Sequence, residues 1–423
     1  QQGTINFYNY NYLSSPFAPG NATVNNENTS NTYSIGGVLR DGTTTVPNPI
    51  NRNIVWVAGY DAAGGDPTQV STNWLYAYND NPSNTYSEWE YLNNSGTLNI
   101  GLGYTMKGSG NNYDPSTFNG TGEQNYVFVG KPNNGTITNT VSPAIGGLPN
   151  DILLGNPYPS AFDAEEFIRD NIPGGDGDPS RTTGSIDGTL YFWEHYAANA
   201  THILRDYQGG YAVRNLIGGQ AAVGPPVTED GILIIGGNGT VAPEQYVPVG
   251  QGFFVSGSPG GGLIEFRNSQ RIFVKESTNS SIFFAPNDEF QDITINNNIE
   301  ETETDNNLIK RIRLTFKSPE GATRPLLIGF VNNNKANDGF NYGYDAKYYD
   351  NFPSDMYWLI DEEKYVIQGV GEFDSSKKYH LGMTLGISGD IEIALQELEN
   401  FETDIPVYIY DQLLDNYTQI NDS

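Results

Sequence analysis

Cysteine is absent from the 423 residues, which excludes disulfides, thiolate metal sites and cysteine nucleophiles. A chain this long can build cores large enough to do without cross-links, so the lack of cysteine does not argue for a reducing compartment. Histidine is scarce, with three residues. Basic residues are few: 21 Lys and Arg stand against 50 Asp and Glu, a formal charge of −29. Such a surface repels nucleic-acid phosphates and anionic lipid, so nucleic acid is not an expected partner. No apolar run approaches the ~20 residues of a membrane-crossing helix, and membrane insertion is not expected either. No basic-then-apolar leader follows Gln1, and the chain reads as a processed or excised piece of something longer.

What is present is aromatic, turn-rich and polar. Aromatics reach 13%, with 28 Tyr and 20 Phe, although hydrophobic residues make up only 37%. Disordered chains lack rings, so a real core is expected. The 49 Gly and 24 Pro suit short strands joined by frequent turns. Segments 54–58 and 124–129 are β-branched and aromatic, and 231–235 is a continuous apolar run, as in a strand buried on both faces. Asn-rich stretches at 21–31 and 133–135 read as loops and hairpin turns. One helix is expected over 161–171. There Ala164, Phe167 and Ile168 share a face, Ser160 or Asp163 caps the start, and Glu165 and Glu166 occupy the favourable first turn.

The composition shifts at 276–306, where Asn-Ser and Glu-Thr tracts read as an acidic, polar linker, with short strands at most at 282–284 and 293–295. The chain thus divides into 1–275, with a weak further split near 147, and 307–423. No repeat of roughly 20–50 residues is present, which argues against a solenoid or propeller. The expected fold class is all-β: a large antiparallel β-sandwich unit, or two packed subdomains, followed by a smaller one. In the second unit, strand patterns at 309–316, 325–331, 355–360, 364–368, 380–387, 391–398 and 406–410 suit an immunoglobulin-like β-sandwich whose last strand lies past Ser423.

Certain aromatic–glycine phrases carry more information than composition. They are Tyr10-Asn11-Tyr12-Leu13-Ser14-Ser15-Pro16, Leu153-Leu154-Gly155-Asn156-Pro157-Tyr158-Pro159-Ser160, Gly188-Thr189-Leu190-Tyr191-Phe192-Trp193-Glu194-His195 and Pro248-Val249-Gly250-Gln251-Gly252-Phe253-Phe254-Val255. In this order they resemble an Asn/Tyr/Gly-rich module of large Bacteroidota surface proteins, especially flavobacterial ones, found ahead of a C-terminal sorting domain read by the type 9 secretion system. Asp355-Met356-Tyr357-Trp358-Leu359-Ile360 resembles its companion domain. The resemblance implies export and an extracellular or cell-surface location. It transfers no catalytic residue, and no complete sorting domain follows Ser423.

Candidate chemistry is sparse. His195 and His202 are seven residues apart, a poor zinc spacing, and His380 stands alone. No Gly-x-Ser-x-Gly elbow surrounds a serine. Glu194, in an aromatic strand, is the best single acid for glycoside hydrolysis, although a structural role suits it better. The Gly260-Gly261-Gly262 cluster opens no helix and reads as a turn. In the Gly174-Gly175-Asp176-Gly177-Asp178 loop, Asp176, Asp178 and Asp187 form a candidate calcium set, since flexible acidic loops supply oxygen ligands. An EF-hand frame from Asp176 fails, with Arg181 in place of Gly and Asp187 in place of Glu. Asp338, Asp345 and Asp350 are a looser second set. Trp56, Trp74 and Trp89 lie in one region with Tyr60, Tyr76, Tyr78 and Tyr86. Alternation would set Trp74, Tyr76 and Tyr78 on one strand face, as core or as a sugar-stacking platform.

These readings converge on a non-enzymatic, secreted cell-surface protein, an adhesin or a subunit of an extracellular assembly. A carbohydrate-binding module, with or without calcium, is the alternative. Expected partners are a surface polysaccharide or further copies of the chain, joined by strand addition at an open sheet edge.

Overall fold

The structure, a computed structural model, describes residues 2–4, 6–19, 32–42, 51–79, 88–110, 123–178, 180–181, 184–195, 201–203, 207, 209–224, 227–229, 232–234, 237–239, 241–274, 308–332, 335–350 and 352–421. The loop read at 21–31, the linker at 276–306 with its short strands, and Tyr86 lie outside these residues. Among the described residues strand accounts for 45% and helix for 7%, so the fold is all-β.

Three sheets position everything that follows. The first joins β1 (Tyr10–Leu13), β2 (Tyr76–Ala77), β3 (Glu90–Tyr91) and β4 (Tyr104–Lys107) in the order β1-β4-β2-β3. The second joins β5 (Asp151–Gly155), β6 (Ile186–His195), β7 (Gly209–Arg214), β8 (Gly219–Gln220) and β9 (Gly252–Gly257) in the order β5-β9-β6-β7-β8. Alternation along β9 shows why the rings matter. Phe253 turns to one face, where it meets Phe162, Phe167 and Phe192. Phe254 turns to the other and meets Tyr12, Tyr78, Trp89 and Tyr211. The first sheet therefore packs on one face of the second through aromatic edges, and a helix covers the other face. Gly252 permits the first contact, because a Cβ there would lie 2.7 Å from the carbonyl carbon of Tyr12.

That helix, α1 (Ala164–Asn171), starts later than its pattern predicts. Residues Ala161–Asp163 instead form a strand paired with Tyr246–Val247 and Arg271–Ile272. Asp163 then caps the helix, accepting from the backbone N–H groups of Glu165 and Glu166. Phe167 stacks on Phe266 at 4.8 Å.

Beyond residue 307 all seven expected strand patterns are present. Six of them, with the unforeseen two-residue β12, form one sheet: β10 (Lys310–Lys317), β11 (Thr323–Phe330), β12 (Ala346–Lys347), β13 (Asp355–Ile360), β14 (Glu363–Val370), β15 (Leu381–Thr384) and β16 (Glu392–Glu399). The order is β15-β13-β14-β11-β10-β16, with β12 also on β14, and within this sheet only the β11–β14 pair is parallel. The seventh, Tyr408–Asp411, pairs with Asn416–Gln419 as a separate hairpin.

A single hydrophobic core runs through both stretches of chain, from Tyr12 to Val370. Ile217, just after β7, packs on Gly329 of β11 and Gly369 of β14. Arg311 donates to the carbonyl of Ile217 at 2.5 Å, and Arg313 donates to Gly219 and Gln220 at 3.0 and 2.8 Å. Backbone bonds run from Gly343 N–H to the Asp187 carbonyl and from Leu216 N–H to the Gly343 carbonyl, both 2.8 Å. At that crossing Gly188 and Gly343 both take positive φ, 95° and 79°. A Cβ on Gly188 would sit 2.5 Å from the Gly343 Cα, so two main chains touch where no side chain fits.

Candidate functional site

Of the three aromatic candidates, only Trp74 leads to a site. Ser71 accepts from the N–H of Asn73 and turns Thr72–Trp74 into a 3₁₀ helix. Strand pairing therefore begins only at Tyr76, and the three rings make different contacts. Tyr76 packs on Tyr91 at 5.4 Å. Tyr78 is buried against Trp89 and Phe254, with its hydroxyl on Glu88.

Trp74 instead lies over Lys107, the last residue of β4. Register places Lys107 opposite Tyr10 of β1, and its side chain is 1% exposed as a residue. The ammonium nitrogen lies 3.7 Å from the centre of the Trp74 ring, 4.6 Å from Tyr10 and 4.9 Å from Tyr207. It also bonds His202 Nδ1 at 2.9 Å and the hydroxyl of Tyr207. On the far side of the ring, His202 Nε2 meets Asp61 Oδ1 at 2.5 Å. The His202 ring stacks on Trp74 at 4.8 Å and lies 4.7 Å from Tyr8 and 6.0 Å from Tyr60. Trp74 Nε1 donates to the Tyr60 carbonyl at 2.7 Å, which fixes the indole against the loop that carries Tyr60 and Asp61.

Electrostatics follow from this enclosure. Burial pushes the Lys107 ammonium down to about 7, against the pull of the Asp61 carboxylate. Burial also lowers His202, opposed by its bond to Asp61 and aided by the nearby Lys107 charge. A neutral His202 satisfies both neighbours: Nε2–H donates to the carboxylate, which has only lone pairs to offer, and Nδ1 accepts from Lys107. The rings of Trp74, Tyr10 and Tyr207 supply the π faces that a poorly solvated ammonium requires. Outside the cage, Tyr60 is 65% exposed and the Asp61 side chain 54% exposed. The outer surface is thus a ring beside a carboxylate, and the inner part is a filled, rigid support.

The acidic candidates go separate ways. Asp176, in the 3₁₀ turn Gly175–Gly177, accepts from Arg169 at 3.3 Å, from Lys335 at 2.7 Å and from the Tyr344 hydroxyl. Asp178 faces solvent and accepts from the N–H and hydroxyl of its neighbour Ser180. Asp187 accepts from Thr189 N–H at 2.9 Å. Asp338 pairs with Lys377, and Asp345 accepts from Asn341 and Gly369. At Asp350 the backbone carbonyl accepts from Arg324. Among the described residues, no three His, Asp or Glu side chains gather to hold a metal ion. His195 is buried edge-on to Tyr207 at 5.4 Å, and Glu194 lies against Gly239. The Gly260–Gly262 cluster is a turn leading into strand Gly262–Phe266.

Residues 57–423 match the family described as a domain of unknown function, DUF8693. The chain belongs to that family. No curated protein and no solved structure matches it. The DUF8693 match opens at Val57, the end of strand Val55–Val57, and so includes Tyr60, Asp61, Trp74, Lys107, His202 and Tyr207. Tyr8 and Tyr10 lie upstream of it.

Proposed function

We propose that this DUF8693 chain is a non-enzymatic recognition module of a secreted surface protein, and that it binds carbohydrate on the platform formed by Tyr60, Asp61, Trp74 and His202. One observation carries the reading: an exposed ring and an exposed carboxylate rest on a rigid cage filled by Lys107. Ring faces stack on the apolar face of a sugar, and a carboxylate accepts its hydroxyl hydrogens. A cage that cannot collapse keeps the ordering cost of binding low. The acidic composition and the resemblance to flavobacterial surface modules support an extracellular setting and type 9 export.

Self-association by strand addition fits the β16 edge of the outer sheet less well. Among the described residues β16 pairs only with β10, and it carries Glu392, Glu397 and Glu399 with an extra residue, Gln396, bulging from the ladder. Charge and bulges are what blunt an edge strand, and a second copy would set Glu against Glu. For these reasons adhesion to a glycan is preferred over filament formation.

The test is a glycan array followed by affinity electrophoresis of the wild-type chain and Tyr60→Ala. Retention by a polysaccharide that weakens about fivefold in Tyr60→Ala is expected, since one stacked ring contributes on the order of 1 kcal/mol. No retention on any glycan, or full retention by the variant, would discard the assignment.

A further inference from the structure

We propose that two copies of this chain pair edge to edge through β15, forming a closed two-fold dimer in which the outer sheet of one copy continues into that of the other. The dimer does not rest on what the platform binds.

The seven-stranded sheet ends at β15 on one side and at β16 on the other, and among the described residues β15 pairs only with β13. Register sets Leu381 opposite Trp358 and Met383 opposite Met356. One residue before β15, the Leu359 N–H donates to the His380 carbonyl at 2.9 Å. In an antiparallel ladder, opposite residues alternate between pairs that bond each other and pairs whose N–H and C=O groups point away. His380 and Leu359 form a bonded pair, so the main-chain groups of Leu381 and Met383 point away from β13, toward the open side. Gly386 N–H is tied to the Ser354 hydroxyl at 2.9 Å, which keeps the chain beside the start of β13 and lets Leu385 continue the outward row.

The two ends of the sheet are defended differently. Charge and a bulge blunt β16, whereas β15 pairs with β13 in unbroken register. In a chain of formal charge −29, residues 380–389 contain no Asp, Glu, Lys or Arg. Their apolar side chains face water: Met383, Leu385 and Ile387 are 45%, 42% and 52% exposed. Met356 and Trp358, beside them in the sheet, are buried, so an apolar layer reaches this edge and stops there uncovered.

A second copy completes it, because the edge matches itself under a two-fold rotation. Antiparallel pairing centred on Met383 sets Met383 against Met383 and Leu381 against Leu385. Outward N–H groups then meet outward carbonyls, apolar side chains meet apolar ones, and no like charges oppose each other. Growth stops at two copies, since the edge left on each outer sheet is the glutamate-bearing β16. Each dimer carries two Tyr60 platforms, which makes a weak sugar contact bivalent; that consequence, unlike the dimer, rests on the glycan reading.

Sedimentation velocity of the whole chain should show passage from 46.4 kDa to twice that mass. A midpoint of roughly 10–100 µM suits a contact made by one pair of strands. Met383→Lys, which sets two ammonium groups against each other on the axis, should weaken association at least about tenfold. Gln396→Lys makes the same charge change on the exposed bulge of β16 and should leave it unmoved. Met383→Cys gives the chain its single cysteine, and opposed Cα atoms of a bonded pair lie about 5.5 Å apart, within reach of a disulfide. Oxidised glutathione should therefore convert Met383→Cys, but not Gln396→Cys, into a covalent dimer on a non-reducing gel. Monomer mass at every concentration would leave the edge to some other strand and overturn the dimer. So would equal association of Met383→Lys and the parent, or masses that grow past two copies. Should Met383→Lys not fold, cross-linking of Met383→Cys no greater than that of Gln396→Cys overturns the proposal by itself.

Discussion

Arg324 is 4% exposed inside the seven-stranded sheet and directs two nitrogens at Asp355, itself 2% exposed. Phe352 lies over the guanidinium at 4.0 Å. Desolvation of both ions is offset by their mutual geometry, aided by the Phe352 ring and the Asp350 carbonyl, so the pair is expected to respond asymmetrically to mutation. Arg324→Met should lower stability by about 3–5 kcal/mol in urea denaturation, because it strands a buried carboxylate. Adding Asp355→Leu should restore most of the loss, and a double variant as unstable as the single one would show that the packing, not the charge, was lost. Lys107 solves the same problem differently, with rings and a neutral imidazole in place of a carboxylate. The sequence marks it only as the polar end of Tyr104-Thr105-Met106-Lys107, whereas its partner His202 comes 95 residues later. Nothing local links the two, which is why the caged lysine is invisible to pattern reading although Trp74 is not.

At the scale of elements, periodicity reads well wherever the chain follows its own hydrogen-bond habit and badly wherever a side chain interrupts it. The face of α1 formed by Ala164, Phe167 and Ile168 is buried as its spacing predicts. Its first turn is displaced because residues 161–163 find two strand partners. Asp163 makes that boundary. It caps α1 and also accepts from Gln245 at 3.0 Å. Asp163→Ala should therefore cost about 1–2 kcal/mol in chemical denaturation, the upper part of the range for a cap, and Asp163→Asn should cost less. An alanine variant as stable as the parent would mean that strand pairing alone sets the helix start. The same logic explains Trp74. A serine cap at Ser71 draws Trp74 out of the expected strand into a 3₁₀ turn, and that turn carries the indole onto Lys107.

Across the whole molecule, the DUF8693 match begins at Val57, yet the core does not. Gln2–Thr4 and Leu39–Asp41 flank the strand Glu123–Phe128 on both sides, and β1 flanks β4. Leu13, Ile35, Val38, Leu39 and Ile54 are all buried in the common core. Burying five such side chains brings about 8–15 kcal/mol, comparable to the 5–15 kcal/mol that is the entire stability of an ordinary domain. Tyr12 adds ring contacts to Trp89, Trp193 and Phe254 that nothing downstream can replace. A chain started at residue 57 should then lack cooperative unfolding, bind a hydrophobic dye and lose near-ultraviolet dichroism while keeping strand signal, as expected when pairing survives and packing does not. The seven-stranded sheet should suffer least, since its contacts to the rest run through Ile217, Gly343 and the arginines of β10, all retained. Sharp, full-amplitude melting of residues 57–423 would show instead that the first 56 residues are an accessory layer and that the sheets close without them.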